Sequence, residues 1–335
     1  MSPKTSTLPG KLKETSKGGG TSKGSGRSPG AKSGTKSGVK SEGRSGGKSR
    51  TNPGVKIKTK PVGKPLKSGR TAASGTGELQ KYVLPVGLPV LAIALAEFLI
   101  FSGNMGASVW LHIGTITALA LSSMFIREQE IIRLHQALML LPILRLVNLS
   151  MPVFFDTTLY TFIFIYGPLA IPAAIVAWHQ RPGLEELGIT SDKLGHYMLL
   201  SVPLGFLLGL GEYATIRTGY LIPDLSFKNL LMLTIVMVFF VGLVEEVIFR
   251  SILQTRLEKV LGIKEALIIT SLLFGLMHSG YGTPYEILYT GFVGLIMGVA
   301  FLRTRSLPFI AVLHGFVNVF LFGIIPHLHE AYGLF

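Results

Sequence analysis

Residues 229–250 read NLLMLTIVMVFFVGLVEEVIFR. The first sixteen carry no charged side chain, and a helix of about 20 apolar residues is what a hydrocarbon layer roughly 30 Å thick demands. The last six then set Glu245, Glu246 and Arg250 into the same run. A charge near the centre of a spanning helix costs about 2.5–3.5 kcal/mol on insertion scales, so each of the three needs a reason. The stretch therefore predicts both a membrane-spanning helix and a helix with polar work to do at depth.

Working outward, apolar runs of similar length recur near 82–102, 106–126, 131–153, 157–178, 196–213, 265–279, 285–302 and 307–325. They predict an all-α, polytopic transmembrane bundle of eight or nine spans. Composition agrees, with 48% hydrophobic and 15% charged residues, where a soluble domain has roughly 25% charged. Residues 1–79 differ from everything that follows. They permute Ser, Gly and Lys without apolar residues spaced to build a core, so nothing offsets the entropy of ordering them and they read as a disordered cytoplasmic tail. Residues 1–80 hold 18 of the 32 lysines and arginines and 3 of the 18 acidic residues. The tail is either a solvated leader or a polybasic tether to anionic lipid or nucleic acid. Residues 80–180 then read as N-terminal transmembrane helices and 181–335 as a second transmembrane block.

Orientation follows from the basic residues of the connections. With the N-terminus inside, Arg127, Arg133, Arg181, Lys193, Arg250, Arg256, Lys259, Lys264, Arg303 and Arg305 fall on the cytoplasmic side and only Arg217 and Lys228 outside. The chain has no cysteine, which removes disulfides, thiolate metal sites and a thiol nucleophile from consideration.

Glu246 and Arg250 are four residues apart and share a helix face, where they can pair. Glu245 points about 100° away and is left without that partner. Two further polar positions follow on apolar runs, each with a partner four residues away: Phe274 with His278, and His314 with Asn318. Three helices offering Glu, His, and His plus Asn can converge in the inner half of the bilayer, provided the helix carrying Glu245 projects beyond it near 253–264. Glu97 and Arg145 are expected to pair across helices, Glu212 is a further intramembrane charge, and His112 and His135 read as buried or interfacial.

The order Glu245-Glu246-x-x-x-Arg250, Phe274-x-x-x-His278, His314-x-x-x-Asn318 resembles the CPBP family of intramembrane endopeptidases, also called the Abi or CAAX amino-terminal protease family, which includes the type II CAAX prenyl proteases. The resemblance covers about residues 180–325. It implies that Glu245 activates water, His278 orients that water, and His314 with Asn318 stabilises the oxyanion, while Glu246, Arg250 and Phe274 support the site. It implies a membrane-associated or prenylated peptide substrate, and leaves two forms of the chemistry: metal-free, or with Zn²⁺ held by Glu245, His278 and His314. Other intramembrane chemistries lack their residues, since His329-Glu330 is not followed by the second His of an HExxH motif and Ser108 has no evident His partner. A non-proteolytic scaffold or immunity-type protein of the same fold, and a proton-coupled transporter, are the alternatives.

Overall fold

A computed structural model describes residues 75–154, 158–190 and 192–334. Nearly all of the tail expected over residues 1–79 lies outside the described residues, although the first helix already begins at Gly75. Among the described residues there is helix at each of the nine expected places and no strand: α1 Gly75–Phe101, α2 Met105–Phe125, α3 Gln129–Phe154, α4 Leu159–Gln180, α5 Leu194–Ile216, α6 Phe227–Val260, α7 Ile263–Leu276, α8 Pro284–Thr304 and α9 Leu307–Tyr332.

Seven of these, all but α3 and α7, are long and apolar enough to cross a membrane. With 14 residues, α7 reaches only about 21 Å at 1.5 Å per residue. The 26-residue α3 carries Glu130, Arg133 and Arg145 along its length. The outer faces of α1, α2, α4 and α5 expose Leu, Phe, Ile and Trp side chains such as Leu84, Trp110, Ile175, Trp178 and Leu199, as a lipid-facing surface does. The chain is an integral, multi-pass membrane protein.

α6 runs 34 residues, about 50 Å as an ideal helix, longer than a hydrocarbon layer is thick. Its C-terminal end meets a charged layer. Arg256 pairs with Glu186 at 2.8 Å and Lys259 with Glu186 at 2.5 Å, while Arg305 reaches Glu258 at 2.8 Å. Gln180, at the end of α4, bonds Arg256 Nε at 2.6 Å and the Arg133 carbonyl at 2.9 Å. Between α4 and α5, Gly188 turns with φ +76°, and its carbonyl accepts the Leu307 amide at 2.7 Å, joining this layer to the start of α9. Burial works against the Glu186 charge, but the Lys259 hydrogen bond and the fields of Arg256, Lys259 and Arg133 outweigh it and hold that carboxyl below its ordinary range. At the opposite end of the bundle the α5–α6 connection docks on α9, with Leu221 N–H on the Phe322 carbonyl at 2.8 Å and Tyr220 stacked on His327.

Helix α6 is not uniform. Val236–Gly242 and Val247–Gln254 are π-helical, with one α turn, Leu243–Glu246, between them. A third π segment, Phe320–Ile324, follows Val319 in α9. In these turns the amide reaches back five residues, as Leu243 N–H does to Val238 O and Ile325 N–H to Phe320 O. Such turns are rare and gather at functional sites. α6 and α9 also cross closely: a Cβ on Gly242 would stand 2.6 Å from the Ala311 carbonyl oxygen, so only glycine permits the approach.

Candidate active site

The α turn trapped between the π segments of α6 presents Glu245 and Glu246 to the bundle interior, 8% and 0% exposed. Glu246 pairs with Arg250 as the four-residue spacing predicts, with Arg250 Nε 3.1 Å from Oε2 and Nη1 3.1 Å from Oε1. Arg250, fully buried, also donates from Nη2 to the Gly294 carbonyl at 3.1 Å and lies 4.6 Å over the Phe274 ring. That combination of counter-ion, carbonyl and aromatic face is what lets a guanidinium remain inside apolar surroundings.

His314, on α9, bridges the two glutamates. Its Nδ1 is 2.7 Å from Glu246 Oε1 and its Nε2 is 3.8 Å from Glu245 Oε2. A carboxylate can only accept, so Nδ1 carries the hydrogen, and in the neutral ring Nε2 presents its lone pair toward Glu245. Asn318 stands one turn further along α9, buried, and its side chain makes no hydrogen bond among the described residues.

His278 lies just beyond the end of α7, with φ −98° and ψ 9°, in the sparsely occupied bridge region where active-site residues often sit. Its Nδ1 is 2.9 Å from the Phe274 carbonyl, so Nδ1 is again the donor and Nε2 the free acceptor in the neutral ring. Phe274 holds the two imidazoles apart, 5.2 Å from the His278 ring and 5.9 Å, edge-on, from His314. The Phe274–His278 pair thus meets as expected, although the helix itself stops at Leu276.

One contact had no signal in the sequence. Tyr166, on α4 and buried, donates its hydroxyl to Glu245 Oε1 in a short hydrogen bond. A tyrosine within an apolar run looks like any core aromatic, and 79 residues separate the two.

Residues 227–320 match the family described as type II CAAX prenyl endopeptidase Rce1-like. Over this segment the chain is similar to the Rce1-like family. Neither a curated protein nor a solved structure matches the chain. The Rce1-like segment contains Glu245, Glu246, Arg250, Phe274, His278, His314 and Asn318, and the match supports a CAAX-protease-type intramembrane endopeptidase at family level. Tyr166 lies outside the segment.

The other buried charged and histidine side chains lie elsewhere in the bundle. Glu97 and Arg145 pair as expected, at 2.5 Å, with His112 Nε2 3.4 Å from Glu97. His135 is buried between Ser122 Oγ at 2.6 Å and the Pro85 carbonyl at 2.7 Å, a structural role. Glu212 of α5 meets Glu286 of α8, which also accepts from Thr215. As for the zinc alternative, among the described residues no group of three or more His, Cys, Asp or Glu side chains is placed to hold a metal ion, so Glu245, His278 and His314 do not form a zinc set.

Proposed function

We propose that this protein hydrolyses a peptide bond of a membrane-associated, prenylated CAAX-type substrate, using a water molecule activated by Glu245. The observation that carries the reading is the approach of His314 Nε2 to within 3.8 Å of Glu245 Oε2 inside the Rce1-like segment, with Phe274 packed against both His278 and His314. Glu245 Oε2 takes a proton from water as the water oxygen attacks the scissile carbonyl carbon. The other water hydrogen is oriented by His278 Nε2, the nitrogen that the Phe274 carbonyl leaves as acceptor. The carbonyl π electrons move onto oxygen, and the Asn318 amide and His314 Nε2 donate to that oxyanion. Donation from His314 requires the imidazolium, whose Nδ1 proton Glu246 holds. Collapse of the intermediate breaks the C–N bond, and protonated Glu245 returns its proton to the leaving amine.

The charged layer at the ends of α3, α4, α6 and α8 supports a topology with that face and the N-terminus in the cytoplasm, since Arg133, Arg256, Lys259 and Arg305 gather there. It is the side on which a prenylated C-terminus would approach. The test is cleavage of a farnesylated CAAX peptide by purified protein in detergent, comparing wild type with Glu245→Gln and His278→Ala. Loss of cleavage in both variants, and unchanged cleavage with a strong chelator, are expected. Full activity in either variant would sink the glutamate mechanism, and wild-type inactivity toward prenylated and unprenylated peptides alike would favour a non-proteolytic scaffold.

A further inference from the structure

Helices α1–α3 lie outside the Rce1-like segment, yet they hold the backbone on both sides of His278. Arg145 of α3 donates from Nη2 to the Met277 carbonyl at 2.5 Å. The same guanidinium donates to Glu97 of α1, Nε to Oε1 at 2.9 Å and Nη2 to Oε2 at 2.5 Å. Glu97 Oε2 in turn accepts the Ser279 hydroxyl at 2.7 Å, and His112 of α2 closes on Oε1 at 3.4 Å. Glu97 and His112 are fully buried, and Arg145 and Ser279 nearly so.

The chemistry of a helix end explains why this cluster matters. α7 stops at Leu276, and the last carbonyls of a helix lack intrahelical partners. A cation placed there satisfies one of them and sits favourably at the negative end of the helix dipole. The next residue, His278, takes the bridge conformation, and the residue after it is anchored by its side chain. A single ionic cluster therefore grips residues 277 and 279, and the imidazole between them has its direction set by that grip and by the Phe274 carbonyl.

We infer that the Glu97–Arg145 pair, acting through Met277 and Ser279, is the positioning device for His278, and that the first three helices complete the active site in this way. The inference rests on the hydrolytic role given to His278 above, but its geometry can be tested separately. The experiment uses the full chain in detergent and three variants: Ser279→Ala, Arg145→Lys, and the neutral pair Glu97→Gln/Arg145→Met. Three quantities are measured: kcat and KM on the farnesylated peptide, the thermal midpoint, and the rate at which diethylpyrocarbonate modifies His278, read by mass spectrometry against exposed His329.

Because a displacement of about 1 Å can cost roughly 100-fold in rate, Ser279→Ala is expected to lower kcat about 10-fold and Arg145→Lys about 30-fold, with KM and midpoint unchanged. His278 reactivity relative to His329 should change in both. Unchanged kcat and unchanged His278 reactivity in folded variants would overturn the inference. So would a loss of kcat that follows the midpoint downward while His278 reactivity stays fixed, since that is the behaviour of a merely structural pair. If the Arg145 variants fail to fold, Ser279→Ala, which removes one hydroxyl, decides. If wild type cleaves nothing, the hydrolytic reading fails, and the His278 reactivity comparison alone upholds or overturns the positioning.

Discussion

Glu245 has two neighbours with opposite histories in the sequence. His314 was legible because a His and an Asn four apart on an apolar helix are costly enough to need a reason, and it stands 3.8 Å from the carboxylate. Tyr166 was not, because its hydroxyl matters only through a contact that the fold creates. In the proposed mechanism its bond to Oε1 orients the carboxylate and leaves Oε2 for the water, so Tyr166→Phe should lower kcat about 10-fold with little change in KM, whereas Glu245→Gln should lower it about 1,000-fold or more. Steady-state kinetics on the farnesylated peptide distinguishes the two. Outside the membrane, Glu186 gives a pH test. Its carboxyl is held below the ordinary range in the folded protein, so its contribution to stability is present above the unfolded value and is lost as pH falls through the folded one. Glu186→Gln should therefore lower the thermal midpoint by about 1–2 °C at neutral pH, and the difference should shrink under acid conditions, as thermal scans from about pH 7 down to 3 would record.

At the scale of the helix, α6 shows what hydrophobic periodicity can and cannot convey. Its existence and its apolar span were readable from residues 229–250. Its π turns were not, because in a run such as VMVFFVG every position is apolar and a wider turn leaves no mark on the pattern. The turns flank the two glutamates and set their direction with respect to α9, whose approach depends on Gly242. Gly242→Ala places a methyl group 2.6 Å from the Ala311 carbonyl oxygen, an overlap neither backbone can yield to without moving. A destabilisation of about 1–3 kcal/mol is expected. Because Ala311 is one turn before His314, kcat should fall as well, and a thermal midpoint measured beside the cleavage rate checks both effects.

For the whole molecule, the nine helices were legible as apolar runs, but the distinction among them was not. α3 and α7 resemble spans in a one-dimensional reading, and only the assembled bundle shows a charged α3 bound into the interior through Arg145 and a short α7 ending at the active site. Since the chain has no cysteine, the proposed topology can be tested with single introduced thiols. In right-side-out membranes an impermeant maleimide should label Lys228→Cys and spare Glu185→Cys, and the reverse pattern would invert the orientation. The pairing of Glu97 with Arg145 also has a consequence in time, because membrane proteins are inserted as they are made. Glu97 precedes Arg145 by 48 residues and Ser279 by 182, so at about 5–20 residues per second roughly 2–10 seconds pass before its cation is even synthesised, and longer before the serine is. During that interval α1 carries an acid whose cation has not yet been made, with only His112 of α2, among its described partners, able to reach it, and a ribosome that pauses between Glu97 and Arg145 prolongs that interval.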